Sequence, residues 1–449
     1  MSVFEKDFVV PLVDGHRALV EYLRQATLFR VGKEVVPVRF LVTGFDSAGY
    51  RCEVGVAERS YWPAHEAAAS VFDFALRSTE DTNTFNTVFL VPTGIGAEIG
   101  GHAGDSTPAA RLLASNCDTL ILHPNVVNAS DINEAPENSL YLEGSTITRL
   151  LMGTIGVQRV RNNRILVVID GTREEIFVNA TINSVNAALS CYGIECVGIW
   201  KLEPSFKMTS AISASGRVGG RIEDLGFLLE SLRLRRDEFD AVSISSAISA
   251  PDGAVLEYFS RNGTMVNPWG GVEALLTHTI TGLFNIPSAH SPMMESEEIA
   301  NLDLGIVDPR LAAESVSLTF VNCVLKGLQR SPKIITNRDL FSRPEVFTAS
   351  NISCLVIPDG CLGIPTLAAL EQGINVIAVA ENRNLMKNDL TQLPWRPGQF
   401  RIARNYLEAS GLLSAIRAGV NPDAVRRPLS KIQTEHLKAE EPNRRVNNM

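Results

Sequence analysis

Two histidines, an aspartate and a thiol stand where they could do chemistry. His102 and Asp105 lie three residues apart in the glycine-rich stretch GIGAEIGGHAGD, and His123 follows the apolar run Thr119–Leu122. An imidazole near a carboxylate suits general acid–base work. Cys361 stands just before an expected helix beginning at Pro365. The positive end of that helix would lower the thiol pKa and make it a nucleophile, with His123 or His290 as the base. His102, Asp105 and His123 could also share a divalent ion, but no dense ligand spacing supports one, so no metal and no particular cofactor are assigned.

The groups around these suggest a negatively charged ligand. Thr93 opens a loop that carries Gly94, Gly96, Gly100 and Gly101. This is not the dinucleotide fingerprint, because Ile99 stands where the third glycine belongs. No G-K-[ST] follows either. Successive glycines would still leave backbone N–H groups free to meet an anion, helped by the helix that Thr107 and Pro108 announce. In SASGRVGGRIED, Arg217 and Arg221 sit among glycines before an expected helix and read as an anion clamp. The stretch NIPSAHSPMME reads as turns, with Ser288, His290 and Ser291 compatible with nucleophile and base, although no G-x-S-x-G elbow is present.

Elements must place these groups together. Apolar runs at 87–91, 119–122, 165–169, 196–200, 241–245, 353–357 and 376–379 alternate with helical patterns at 177–192, 221–232, 271–284, 313–328 and 365–372. Such alternation predicts an α/β fold of mostly parallel sheet with flanking helices. We expect two Rossmann-like lobes preceded by a small α+β N-terminal domain. The boundaries are 1–85 for that domain, 86–205 and 206–420 for the lobes, and 421–449 for a polar tail. The N-terminal domain would hold a strand at 7–13, helices at 14–27 and 65–77, and a hairpin of 37–43 with 50–56 across GFDSAG. In open parallel sheets ligands bind outside the carboxyl ends of the strands. The residues that follow the expected strands are therefore the binding candidates: Asn125 and Asn128, Asp359, Gly360 and Gly363, and Glu381 and Asn382.

A formal charge of −9 argues against a surface made for nucleic acid or anionic lipid. No apolar run nears the roughly 20 residues that cross a bilayer. The start, MSVFEKDFVV, lacks a cationic and then apolar leader, and seven scattered cysteines form no CxxC pair. A cytoplasmic protein is expected, with a small anionic metabolite as its partner and a homo-oligomer left open as its assembly.

The segment PDGCLGIPTLAALEQGINVI resembles the donor-nucleotide segment of the two-lobed glycosyltransferases. Gly363, Pro365, Leu367, Ala369 and Gly373 fall in that family's order, but Gly360 and Ala368 replace its two acidic positions. The likeness implies an anion at a helix N-terminus rather than sugar transfer. More extensively, VPTGIGAEIGGHAGD, LILHPNVVNASDINE, EGSTITRLLMGTIG and PDGCLGIPTLAALEQGI resemble a bacterial family, also present in cyanobacteria, that is a domain of unknown function. That resemblance covers most of residues 87–400 and implies no activity. The residues themselves lead us to expect an enzyme, transferase or hydrolase, acting on a small phosphate- or carboxylate-bearing metabolite between the two glycine-rich loops. A non-catalytic sensor on the same fold is the alternative.

Overall fold

The computed structural model describes residues 1–12, 18–62, 70–261, 263–429 and 431–436. At its centre is a six-stranded sheet whose neighbours all run parallel. Across it lie Phe400–Ala403, Asn375–Val379, Cys354–Pro358, Asn86–Phe89, Thr119–Leu122 and Ser139–Tyr141. The chain winds outward from Asn86–Phe89 in one direction, returns to Cys354–Pro358 and winds outward in the other. The winding reverses between those two strands, and a crevice opens at such a reversal. Runs such as TLIL and CLVIP are buried along their whole length because helices cover both faces of the sheet.

A second parallel sheet has four strands, in the order Glu195–Leu202, Arg164–Asp170, Ala241–Ala247 and Ser288–Met293. A third, antiparallel over its length, runs Lys207–Ile212, Val218–Glu223, Val3–Val10, Gly49–Glu58, Val35–Asp46 and Leu362–Gly363. The helix Gly270–Phe284 joins the last two sheets, burying Leu275, Leu276 and Ile280 with Val36, Val168, Val242 and Ile244. Its N-terminus comes very close to Val218. A Cβ on Gly271 would lie 2.0 Å from the Val218 carbonyl oxygen, so only glycine fits there.

The α/β expectation therefore holds with a substantial antiparallel part. The expected boundaries do not separate the sheets. Strands from 86–141 and 354–403 form one sheet, and strands from 1–58 pair with 207–223 and 362–363. The hairpin expected around GFDSAG is present, as Val35–Asp46 with Gly49–Glu58. The first strand is Val3–Val10 and the first helix Leu19–Val31, with 13–17 outside the described residues. Of the helix expected at 65–77, residues 65–69 lie outside the described residues and 70–77 are not helical. The helix expected at 221–232 begins instead at Gly226, because Arg221 belongs to the strand Val218–Glu223. The stretch 313–328 divides into a 3₁₀ turn, Ala312–Ser315, and a helix, Val321–Gln329. In the C-terminal stretch, Pro422–Val425 form a 3₁₀ turn, and 437–449 lie outside the described residues.

Candidate functional site

Both parallel sheets end on one cavity of about 480 Å³. From the six-stranded sheet come Thr93, His123, Asn125 and the turn Cys361–Pro365. From the four-stranded sheet and its helix come His290, Glu273 and His278. The two turns expected to converge, after Asn86–Phe89 and after Cys354–Pro358, do meet here.

Two histidine–glutamate pairs face this space. His290 Nδ1 lies 2.8 Å from Glu273 Oε1, and its Nε2 lies 2.9 Å from Ser246 Oγ. A carboxylate only accepts, so in the neutral ring Nδ1 donates to Glu273 and Nε2 accepts from the Ser246 hydroxyl. The Glu273 side chain keeps 24% of its surface exposed, whereas the His290 side chain keeps 1%. Ser246 is buried against Met208 Sδ (3.4 Å) and is not part of the cavity wall. It orients the ring and offers no nucleophile to the cavity.

In the second pair, His278 Nε2 lies 3.2 Å from Glu143 Oε1. The other Glu143 oxygen caps the helix Gly144–Leu151, accepting from the Ser145 and Thr146 N–H groups at 2.9 and 3.1 Å. A Cβ at Gly144 would sit 2.9 Å from His278 Nε2, so the glycine admits the ring. Burial, countered by Glu143, holds the His278 pKa below its ordinary value.

His123 has no carboxylate partner. Its Nε2 accepts the Val91 N–H at 3.3 Å, and burial lowers its pKa to about 4. It is a neutral hydrogen-bonding group at pH 7. Arg39, which also lines the cavity, donates to the Gly271 carbonyl at 3.0 Å and pairs with Glu5. Its Nε is buried without a partner, and desolvation lowers its pKa to about 10.

Several expected roles are corrected. Four amides of the 94–105 loop are already committed within the protein. Ile99 N–H donates to Asn382 Oδ1 (2.9 Å), Gly100 N–H to Asp105 Oδ1 (2.6 Å), Ala103 N–H to Glu314 Oε1 (2.5 Å) and Gly104 N–H to the Asn125 carbonyl (3.2 Å). Gly94, Gly96 and Gly100 have φ of 71°, 62° and 89°, so they shape the loop. A Cβ on Gly101 would lie 2.0 Å from the Ala97 carbonyl oxygen, so it serves close packing. His102 and Asp105 do not pair. His102 Nδ1 meets Tyr258 Oη at 2.7 Å, while burial pushes the Asp105 carboxyl up to about 7. Cys361 is no activated thiol, because burial pushes its pKa far above the ordinary value, with Asp359 adding to it.

Arg217 is fully buried and committed to Glu53 (Nε–Oε2 2.5 Å), Glu5 (Nη2–Oε1 2.5 Å) and the Val218 carbonyl. It holds no external anion. Arg221 is exposed on the strand Val218–Glu223, beside Glu223 (3.0 Å) and over the Phe4 ring, outside the cavity wall. Glu381 pairs with Arg404 at the surface, and Asn382 ties Ile99 to the Tyr406 hydroxyl. Asp359 and Gly360 shape the turn, Gly360 with φ 80°, and neither faces the cavity. Thr93, Asn125, Asn128 and Gly363 do face it, although Asn125 Nδ2 is spent on the Gly100 carbonyl and Asn128 Nδ2 on the Tyr141 hydroxyl. Ser288 donates to the Thr277 carbonyl and Ser291 to the Ile244 carbonyl, so neither is a nucleophile. Among the described residues no group of three or more His, Cys, Asp or Glu is arranged to hold a metal ion.

Sequence reasoning missed Glu273, His278, Glu143 and Arg39. The stretch 285–295 reads as turns because of its Pro and Ser residues, yet Ser288–Met293 is a strand, and this puts His290 beside Ser246. Glu273, Thr277 and His278 sit in a helix whose apolar content is high, and polar residues inside such a helix were the available signal.

A family model described as a protein of unknown function (DUF3326) matches residues 86–426, and the chain belongs to that family. An uncharacterized lipoprotein of a Synechococcus strain is 32% identical over 348 residues, which is 76% of this chain and 93% of that protein. The bacterial and cyanobacterial resemblance read from the motifs is thus correct. No solved structure matches.

Proposed function

We propose that the chain is an enzyme, a hydrolase or transferase, that moves a proton on a small molecule held in the cavity. The observation that carries this reading is the Ser246–His290–Glu273 chain of hydrogen bonds, with Glu273 as its cavity-facing end. A carboxylate backed by an oriented imidazole can take a proton from substrate or water and return it, the task that hydrolysis and group transfer share. Glu273 is the acid–base group, and His290 and Ser246 position it. His123 and Thr93 supply neutral hydrogen bonds to the substrate's polar head, and Arg39 Nε offers a donor to an anionic or carbonyl oxygen.

We further read the six-stranded sheet as a Rossmann-like lobe on its strand order, and the four-stranded sheet as a second lobe that shares the site. For the setting, free and scattered cysteines favour the cytoplasm. The Synechococcus relative's name as a lipoprotein favours an anchored location, and cell fractionation separates the two. No described helix is long and apolar enough to cross a membrane.

The test begins with a thermal-shift screen of small carboxylates, carbonyl compounds and phosphorylated metabolites, followed by turnover of each stabilising compound. Wild-type turnover that Glu273→Gln abolishes while binding persists supports the enzyme. Binding without any wild-type turnover makes the protein a sensor instead.

A further inference from the structure

The cavity is built from two unlike walls, and they describe the molecule that fits between them. The polar wall is made by strand ends and by the helix Gly270–Phe284, and bears His123, Thr93, Glu143, His278, Glu273 and Arg39. The other comes largely from residues 294–320, a stretch with no regular structure beyond the short helix Glu297–Ala300 and the 3₁₀ turn Ala312–Ser315. Long irregular connections in compact folds commonly serve as site covers. This one turns Met294, Ile299, Leu302, Leu304, Val316 and Leu318 to the cavity, facing Val255, Phe259 and Trp269. Val316 is 66% exposed and Leu318 39% exposed, and both line the open cavity. Apolar side chains in that position gain when a hydrocarbon displaces water from them.

The charges on the polar wall narrow the head group. Arg217 is already matched by Glu5 and Glu53, and Arg39 by Glu5. Glu143 and Glu273 line the same space with histidines as their only ionic partners, Glu143 also capping its helix. A phosphate dianion placed here would meet two carboxylates and no uncommitted cation, at a large desolvation cost. A singly charged carboxylate or a neutral carbonyl needs only the spare Arg39 Nε and the neutral His123.

Building on the acid–base reading above, we infer that the substrate is amphipathic, a hydrocarbon body lodged against the 294–320 wall and one carboxylate, ester or other carbonyl head among His123, Arg39 and Glu273. This favours the carboxylate side of the phosphate-or-carboxylate expectation and adds the hydrocarbon that the sequence did not suggest.

The experiment measures binding of acetate, hexanoate, decanoate and inorganic phosphate to the full chain by calorimetry and thermal shift, below the micelle-forming concentration. Each added methylene should tighten binding by about fourfold until the wall is covered. Phosphate should give no shift. Leu318→Asp should flatten the chain-length series while leaving the melting temperature of the free protein nearly unchanged, since the residue is part-exposed. A flat series in the wild type, a phosphate shift as large as that of decanoate, or an unchanged series in Leu318→Asp overturns the inference. Turnover by wild type and Glu273→Gln is scored separately. A flat series beside Glu273-dependent turnover of another compound removes only the amphipathic substrate, whereas a steep series with no turnover removes only the enzyme.

Discussion

Both parallel sheets deliver a histidine to the same cavity, and they treat it in opposite ways. At the end of Thr119–Leu122, His123 is buried without a carboxylate, receives the Val91 N–H and stays neutral down to about pH 4. On Ser288–Met293, His290 is held between Ser246 and Glu273. The first environment penalises the charged ring and fixes a plain hydrogen-bonding group. The second provides a place for a proton to go. Surroundings, more than residue type, decide which histidine can take part in proton transfer.

The largest expected effect tests that division directly. Glu273→Gln keeps the side-chain size and an acceptor for His290 but removes the base, so turnover of a cavity ligand should fall about 10²- to 10⁴-fold. His123→Gln should cost no more than about tenfold, the worth of one hydrogen bond. Equal losses in steady-state assays would erase the distinction between the two histidines.

Next comes the lattice of charges behind the polar wall. Arg217→Met leaves Glu5 and Glu53 buried without their shared partner and should destabilise the fold by about 3–5 kcal/mol in urea unfolding. A near-neutral result would free Arg217 for the ligand role that its burial now denies it.

Acid stability sharpens the contrast further. His123 has a folded pKa of about 4, against an ordinary value near 6.5. The unfolded chain therefore binds more protons in that interval. The neutral ring's contribution is complete above pH 6.5 and is lost as pH falls toward 4, by about 3 kcal/mol. His123→Gln should lack this slope in pH-dependent denaturation. Glu314 has the opposite sign. Burial raises its folded pKa to about 8, so its stabilisation is present below the ordinary carboxyl range and is lost as pH rises through 8. Glu314→Gln should gain on the wild type from pH 5 to pH 8.

The smallest effect belongs to Arg221. Its pair with Glu223 is exposed, so Arg221→Ala should change stability by no more than about 0.5 kcal/mol and leave ligand binding unaltered.

Much of the fold could be read in the sequence because buried parallel strands announce themselves as short apolar runs. The run expected at 119–122 is the strand Thr119–Leu122, and the helix expected at 365–372 is Ile364–Gln372. What could not be read was pairing at a distance. The hairpin of Lys207–Ile212 with Val218–Glu223 joins strands from the first sixty residues, and nothing local to SASGRVGG distinguishes that turn from an anion loop. The same limit explains the site. Convergence of the Thr93 and Gly363 turns followed from strand ends, but the fate of the Ile99 and Ala103 amides in the loop depended on Asn382 and Glu314, far away in the chain. Glu273 escaped notice because its meaning comes from His290 on another element.

A crystal structure of the protein with a stabilising ligand from the thermal-shift screen is the most direct test. The account predicts ligand density within hydrogen-bonding distance of Glu273 and His123, with the amides of Ile99, Gly100, Ala103 and Gly104 still bonded to their own side-chain and carbonyl partners. Density seated on those amides, or lying away from both residues, would contradict it.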